Sequence, residues 1–140
     1  MNSPAQAPLV ALVVDDNVDN ARTLAQILTM LGCRTMEAFD GSRALDAAQG
    51  DPPDVAFVDL NMPGLDGHQV AEGLRRIKQG EPACIVCITG RLLQRDEMAA
   101  ITADGFDRVL FKPIELSEIE SVLSSCTASR RGPSAPASGR

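Results

Sequence analysis

Several residue types are scarce or missing in this sequence. It contains no tryptophan or tyrosine, and its only histidine is His68. We therefore find no Ser-His-Asp constellation for nucleophilic catalysis. The longest apolar runs, such as Leu9–Val14, are far too short to cross a bilayer. Met1–Pro8 has neither the basic start nor the apolar segment of a signal peptide, so we predict a cytoplasmic protein with no membrane segment.

Positive charge is also scarce. The formal net charge is -6, from 13 lysines and arginines against 19 aspartates and glutamates. Binding the phosphates of nucleic acid needs a basic face, so we expect no nucleic acid partner. A chain of 140 residues suffices for one domain, and no second, DNA-binding domain is visible beside it.

The four cysteines do not indicate a metal or redox site. Cys84 and Cys87 have the spacing of such a pair, but they lie within the apolar run Ala83–Ile88, which predicts a buried strand. Residues three apart on a strand point to opposite faces of the sheet. We therefore expect Cys84 and Cys87, like Cys33 and Cys126, to be free thiols packed in the core.

Both ends of the chain lack periodic apolar residues. Met1–Pro8 is polar and small, and Thr127–Arg140 consists mainly of serine, alanine, proline, glycine and arginine. Such segments bury too little surface to offset the entropy lost on ordering. We predict disordered ends at residues 1–8 and 127–140 and one domain at residues 9–126, and we assign no role to the tail.

Strand-like and helix-like segments alternate between these ends. The predicted strands are Leu9–Val14, Arg34–Ala38, Val55–Val58, Ala83–Ile88 and Arg108–Phe111. The predicted helices are Asp19–Leu31, Gly41–Gln49, Asp66–Gln79, Leu92–Ala103 and Glu115–Cys126. Continuous rather than alternating apolar strands indicate an α/β fold with a parallel sheet covered on both faces. Sheets of this kind bind ligands beyond the carboxyl ends of their strands.

Chemically capable side chains follow four of the five predicted strands. They are Asp15, Asp16, Asp59, Thr89 and Lys112. Three neighbouring carboxylates repel one another unless a cation neutralises them, and oxygen-only ligands favour a hard ion such as Mg²⁺ or Mn²⁺. With no other strong nucleophile at this edge, a carboxylate is the candidate attacking group.

Four motifs then resemble the signatures of two-component response-regulator receiver domains. They are Val13-Val14-Asp15-Asp16-Asn17, the run from Asp59 to Gly67, Ile88-Thr89-Gly90 and Leu110-Phe111-Lys112-Pro113. The motifs stand in the family's order and spacing over about residues 9 to 126. The resemblance implies a flavodoxin-like, five-stranded, three-layer sandwich with strand order 2-1-3-4-5.

The resemblance also implies a role for each site residue. Asp59 is the phosphoacceptor, and Thr89 and Lys112 hold the phosphoryl oxygens. Mg²⁺ is bound by the side chains of Asp16 and Asp59, by the backbone carbonyl of Asn61, and by Asp15 mostly through water. The Lys112–Pro113 peptide is cis in the family pattern, which places Lys112 toward the site.

The sequence departs from the family pattern at the switch position. Many receivers carry Tyr or Phe three residues before the lysine, where this chain has Val109, and Phe106 falls in the preceding turn. Valine offers little rotamer change, so we expect this position to report little of any movement of Thr89. Gly90 stands where many receivers have alanine, and either leaves the acceptor open or makes a tight turn. Asn61 and Arg91 are expected to influence hydrolysis.

The implied function is that of a phosphorylation-dependent signalling module rather than an enzyme. The expected phosphodonor is a sensor histidine kinase or a histidine phosphotransfer protein. By family analogy, a downstream protein binds the face formed by Leu92–Cys126, and the chain is a monomer or weak dimer. The Met1 start favours a stand-alone regulator, whereas Val109 and the turn around Phe106 favour the receiver of a hybrid histidine kinase. His68 is expected to be solvated on the first turn of its helix and not to be a phosphodonor.

Two other functions use similar folds. A haloacid-dehalogenase-type phosphohydrolase also has an aspartate nucleophile and Mg²⁺, but it usually needs an Asp-x-Asp pair and a cap insertion, and Asp15 and Asp16 are adjacent. A flavin-binding flavodoxin would need a Ser/Thr-rich phosphate loop and flanking aromatic rings, and phenylalanine is the only aromatic residue present. We rank the phosphohydrolase second and the flavin binder last.

Overall fold

The computed structural model describes residues 7–60, 62, 66–77, 82–90 and 92–131. Residues 129–131 are described by their backbone alone. The strands are β1 (Val10–Val14), β2 (Arg34–Ala38), β3 (Val55–Asp59), β4 (Cys84–Thr89) and β5 (Arg108–Phe111). The helices are α1 (Val18–Met30), α2 (Gly41–Gly50), α3 (Gly67–Arg75), α4 (Arg95–Ala103) and α5 (Leu116–Arg131). None of the described helices is long and apolar enough to cross a membrane.

The strands form one parallel sheet in the order β2-β1-β3-β4-β5. This confirms the predicted fold class and strand order. In the register of β1 and β3, Val14 lies opposite Val58, so the residues that follow them emerge side by side. The sequence order of the strands reverses between β1 and β3, which is the place where parallel sheets of this type bind ligands.

Successive strand residues pack alternately into two separate hydrophobic cores, one on each face of the sheet. Val13 and Cys84 belong to the core beneath α1 and α5, and Val14 and Cys87 belong to the core beneath α2, α3 and α4. The two thiols therefore diverge as predicted, and all four cysteines are free and buried. Because both faces are covered, chemistry is confined to the sheet's edges and ends.

Helix α5 is longer than predicted. It continues through Arg131 rather than ending at Cys126, so residues 127–131 are helical. No glycine or proline interrupts this stretch, and Thr127 Oγ1 donates to the Leu123 carbonyl at 3.0 Å. The predictions for residues 1–6 and 132–140 lie outside the described residues.

Helices α3 and α4 are shorter than predicted, for different reasons. Helix α3 ends at Arg75 because the chain then turns inward and buries Ile77 in the core beneath α3, and residues 78–81 lie outside the described range. Helix α4 begins at Arg95 rather than Leu92 because Gln94 forms a capping box with Glu97.

Candidate functional site

Three carboxylates converge at the carboxyl ends of β1 and β3. Asp15 and Asp16 follow β1, and Asp59 is the last residue of β3. One oxygen from each side chain can be chosen so that all three lie within 4.8 Å of one another. Asp15 is buried, Asp59 is half-buried and Asp16 is exposed, so the cluster opens to solvent on one side. The structure thus assembles three residues that the sequence analysis selected.

Neighbouring contacts orient Asp15 within this cluster. Its Oδ1 accepts the Asn17 backbone N–H at 2.9 Å, and its Oδ2 lies 3.7 Å from Lys112 Nζ. The N-cap of α1 is Asn17, whose side chain accepts the Asn20 N–H at 3.0 Å. Helix capping therefore does not account for the pair of aspartates before it.

Thr89 and Lys112 reach the same edge from β4 and β5. Thr89 is fully buried, and its carbonyl accepts the Lys112 backbone N–H at 2.9 Å. Lys112 directly follows the last residue of β5, and its ammonium faces Asp15. The Lys112–Pro113 peptide is cis, which confirms that prediction.

The first turn of α3 packs directly on the backbone of Asp59. The Gly67 N–H donates to the Leu60 carbonyl at 3.3 Å, and a Cβ on Gly67 would lie 2.7 Å from the Asp59 carbonyl oxygen. Asp66 and Gln69 fix this turn through a reciprocal capping box. Strand β3 and helix α3 are therefore in direct van der Waals contact. Asn61, the predicted carbonyl ligand, and Arg91 lie outside the described residues.

The donor set suits a hard divalent cation. Three carboxylates with one lysine leave an excess of negative charge, and every candidate ligand atom in the cluster is an oxygen. Cys87 is a soft ligand that feels the charge of Asp59, but it is buried among apolar side chains. Burial, with a smaller contribution from the Asp59 charge, raises the pKa of Cys87 to about 12. A thiol in that state is a poor ligand, so the residues fit Mg²⁺ or Mn²⁺.

The predicted switch position carries no aromatic ring near the site. Val109 is half-buried against the core beneath α2, α3 and α4, and Phe106 belongs to that core with 4% of its surface exposed. At the neighbouring Gly90, an added Cβ would meet only Lys112 Cδ at 3.9 Å. The space around Gly90 is therefore open, and it does not require glycine for lack of room.

The prediction that His68 is solvated was wrong. His68 does lie on the first turn of α3, but its Nδ1 hydrogen-bonds Asp104 Oδ2 and its ring meets the edge of Phe106 at 6.2 Å between centroids. Only 34% of its side chain is exposed. Both partners come from the end of α4 and the turn after it, 36 residues away or more, so no local sequence pattern indicated the contact.

A larger cavity lies at the opposite end of the sheet, and no carboxylate or ammonium group of the described residues lines it. It has a volume of about 490 Å³ and is lined by Leu9, Leu31, Cys33, Leu123 and neighbouring small residues. None of its lining residues is charged, and burial raises the pKa of the Cys33 thiol. A smaller cavity of about 330 Å³ adjoins the carboxylate cluster, with Asp15 and Lys112 in its wall.

Comparison with known proteins decides the family. The family model described as "Response regulator receiver domain" matches residues 11–124 of this chain. The chain belongs to the response regulator receiver domain family. The matched range covers the carboxylate cluster and all five strands except Val10, the first residue of β1, so the motif resemblance in the sequence is confirmed.

The receiver domain resembles parts of several longer signalling proteins. It is 34% identical over 122 residues to the sensor histidine kinase GacS of Pseudomonas protegens, covering 85% of this chain and 13% of GacS. It is 35% identical over 138 residues to the transcriptional regulatory protein PrrA of Mycobacterium tuberculosis, covering 99% of this chain and 57% of PrrA. The chain thus spans less than two thirds of each of these relatives.

Solved receiver structures share the fold. A CheY-like receiver domain from Methylobacillus flagellatus superimposes with a TM-score of 0.76 at 28% identity, covering 86% of this chain and 99% of that one. Chemotaxis protein CheY4 of Vibrio cholerae gives 0.78 at 26% identity, with coverage of 84% and 98%. These matches favour a phosphoacceptor signalling domain over the phosphohydrolase and flavin-binding alternatives.

Proposed function

We propose that this receiver domain accepts a phosphoryl group on Asp59 with the help of Mg²⁺ and signals through phosphorylation-dependent contacts with other proteins. The observation that carries the proposal is the convergence of three carboxylates within 4.8 Å, with Lys112 beside Asp15. Such a cluster is costly as a bare surface, because like charges repel, but it suits a divalent cation and a phosphoryl group.

The proposed step is a displacement at phosphorus by a carboxylate oxygen of Asp59. A P–O bond forms while the P–N bond of a phosphohistidine breaks, and the electron pair leaves with the imidazole nitrogen. Carboxylates act as covalent nucleophiles in aspartyl-phosphate chemistry. The half-buried position of Asp59 at the end of β3 supports this role, since part of the side chain is accessible to a donor.

Thr89 and Lys112 are the proposed ligands of the phosphoryl oxygens. The ammonium of Lys112 supplies a positive charge and the hydroxyl of Thr89 supplies a hydrogen-bond donor. The 2.9 Å hydrogen bond between the Lys112 N–H and the Thr89 carbonyl supports their joint action, because it fixes the two backbones side by side.

The proposed Mg²⁺ ligands are the side chains of Asp16 and Asp59 and the backbone carbonyl of Asn61, with Asp15 acting mostly through metal-bound water. When bound, a divalent ion offsets the negative charge on the transferring group, as phosphoryl transfer generally requires. Lys112 alone offsets one of the three carboxylate charges. Water later removes the phosphoryl group from Asp59, so the domain acts as a slow, self-limiting switch.

The proposed partners are a phosphohistidine donor and a downstream protein. A sensor histidine kinase or a histidine phosphotransfer protein is the donor, and the Leu92–Cys126 face is the downstream contact surface. Leu92, Met98, Phe111 and Leu116 support that choice, since they are four of the six large apolar residues exposed in the described part of the chain. Four free thiols are in keeping with a cytoplasmic location.

Phosphorylation with acetyl phosphate and Mg²⁺ tests the proposal directly. We expect a phosphorylated species by intact-protein mass spectrometry for the wild type and for Asp46→Asn, which removes an exposed carboxylate on α2. Asp59→Asn and chelation of Mg²⁺ should each abolish the product. Equal phosphorylation of Asp59→Asn and the wild type would contradict the proposal. A phosphotransfer profile against candidate histidine kinases would then identify the donor.

A further inference from the structure

Helix α4 is held to the domain by few side chains. Within α4, all of which is described, Ile101 is the buried residue, whereas α3 buries four residues. Two polar attachments among the described residues hold its end to α3. His68 donates a hydrogen bond to Asp104, the C-cap of α4, and Arg75 donates to the Gly105 carbonyl that follows. A helix with so little buried surface depends on such attachments for its position, and weakly held elements are the ones that move in switching proteins.

His68 is also close in the chain to the contact between α3 and the proposed phosphoacceptor, Asp59. His68 directly follows Gly67, whose Cα packs against the backbone of Asp59 and Leu60. The capping box between Asp66 and Gln69 makes the intervening turn a fixed unit. A movement of the Asp59 backbone is therefore passed to His68 without a flexible link.

Packing fixes the orientation of the histidine ring as well. Its plane stands at 83° to the ring of Phe106, which is buried in the core and follows Asp104 by two residues. A carboxylate accepts hydrogen bonds, so the Nδ1 atom that faces Asp104 is the donor. One ring thus contacts both the C-cap of α4 and the core residue beyond it. Val109, at the predicted switch position, offers little rotamer change with which to report the phosphoryl state of Asp59.

We propose that His68 is a positioning residue that couples the phosphoryl state of Asp59 to the position of α4 through its hydrogen bond with Asp104. The proposal rests on the proposed function of Asp59. The coupling runs through backbone contact from Asp59 to Gly67, along the capped first turn of α3, and across the side-chain hydrogen bond to α4. Coupling between two sites is reciprocal, so breaking the bond changes how tightly the site binds a phosphoryl mimic.

Beryllofluoride titration with Mg²⁺, followed by NMR of the backbone amides, tests the coupling. The variants are His68→Leu and Asp104→Asn, which break the bond, the double variant, and His68→Asn, which restores an N–H donor near the Nδ1 position. Asp96→Asn is the matched control, because it removes an exposed carboxylate from α4 that accepts the Glu97 N–H within the same helix. Thermal unfolding of each variant separates loss of coupling from loss of fold.

We expect His68→Leu and Asp104→Asn to weaken beryllofluoride binding by a similar factor, about three- to tenfold, with the double variant no weaker than either. The amide shifts of α4 on saturation should shrink in these variants and recover in His68→Asn. Wild-type affinity and wild-type α4 shifts in both single variants would overturn the coupling while leaving the acceptor role of Asp59 intact. Failure of the wild type to bind beryllofluoride would overturn both proposals.

Discussion

The two ends of the sheet both carry aspartates, but they use them differently. At the amino end, Asp54 Oδ2 accepts the Val10 N–H at 2.8 Å and Asp107 Oδ2 accepts the Ile85 N–H at 2.7 Å. At the carboxyl end, Asp15, Asp16 and Asp59 crowd together instead. The same residue type therefore stabilises the fold at one end and forms a candidate ion site at the other.

The neighbours of these carboxylates explain the difference. At the amino end, N–H groups near the starts of β1 and β4 lie within hydrogen-bond distance of Asp54 and Asp107. A carboxylate at the amino end finds backbone donors, and Asp107 also pairs with Arg75. At the carboxyl end, three carboxylates lie close to one another beside Lys112, so the cluster favours a cation. Four substitutions test this comparison.

The largest loss of stability is expected when a side chain is added at Gly67, where α3 packs on the backbone of Asp59. In Gly67→Ala, the new Cβ would lie 2.7 Å from the Asp59 carbonyl oxygen and 2.9 Å from Leu60 Cα, and neither backbone atom can move without shifting Asp59, the proposed acceptor. We expect a loss of about 3 kcal/mol in unfolding free energy, as for severe overpacking, together with loss of phosphorylation. Urea unfolding and the acetyl phosphate assay measure the two effects.

Gly90→Ala is the matched control at the same end of the sheet. Its Cβ would meet only Lys112 Cδ at an ordinary contact distance of 3.9 Å. Its unfolding free energy should match that of the wild type and its phosphorylation should persist. If Gly67→Ala were equally well tolerated, close packing between α3 and β3 would not be what holds the acceptor strand.

The next effect comes from the amino end of the sheet. Asp107→Ala removes the acceptor of the Ile85 N–H and the partner of Arg75, and it should cost about 2 kcal/mol because a backbone donor loses its partner. Phosphorylation of the folded variant should remain at the wild-type level. Asp51→Ala, which removes an exposed partner of Arg34, serves as the control and should leave stability unchanged. A phosphorylation defect in folded Asp107→Ala would contradict the claim that aspartates at the amino end of the sheet serve stability alone.

A smaller effect is expected for one ligand of the proposed ion. Asp16→Asn removes one charge from the exposed side of the cluster while keeping an oxygen in place. We expect Mg²⁺ affinity to fall about tenfold, equivalent to roughly 1.4 kcal/mol, and the fold to become no less stable, because carboxylate repulsion is relieved. Isothermal titration calorimetry checks the affinity, with Asp54→Asn as the control at the other end. Equal Mg²⁺ affinity in Asp16→Asn and the wild type would exclude Asp16 as a ligand.

The sequence predicts most of this fold because strand and helix periodicity is local. Strands β2 and β5 have the predicted bounds, and the continuous apolar runs correctly indicated a doubly covered parallel sheet. The helix ends that differ depend on distant partners or on caps. Helix α3 stops where Arg75 reaches the Gly105 carbonyl at 3.0 Å, and no pattern near residue 75 reports a contact 30 residues away.

The candidate site is predictable for a related reason. In a parallel sheet, strand polarity alone brings residues that end different strands to one edge, so Asp15, Asp59 and Lys112 could be grouped without knowing side-chain positions. The pair of His68 and Asp104 joins a helix start to a helix end, and its formation depends on how α3 and α4 lie across the sheet. That arrangement is a tertiary property, and it explains why His68 was expected to be solvated.

The smallest effect concerns the cysteines near each end of the sheet. Burial is the main cause that raises the pKa of both Cys33 and Cys87, with smaller contributions from Asp54 and Asp59 respectively. With a pKa of about 12, Cys87 is only roughly one part in ten thousand thiolate at mildly alkaline pH. We therefore expect almost no alkylation of Cys87 in the folded protein and complete alkylation in denaturant, measured by peptide mass spectrometry. Asp59→Asn removes the charge but not the burial, so its labelling should remain as slow as that of the wild type. Rapid labelling of Cys87 in that variant would mean that the carboxylate, rather than burial, suppresses the thiolate.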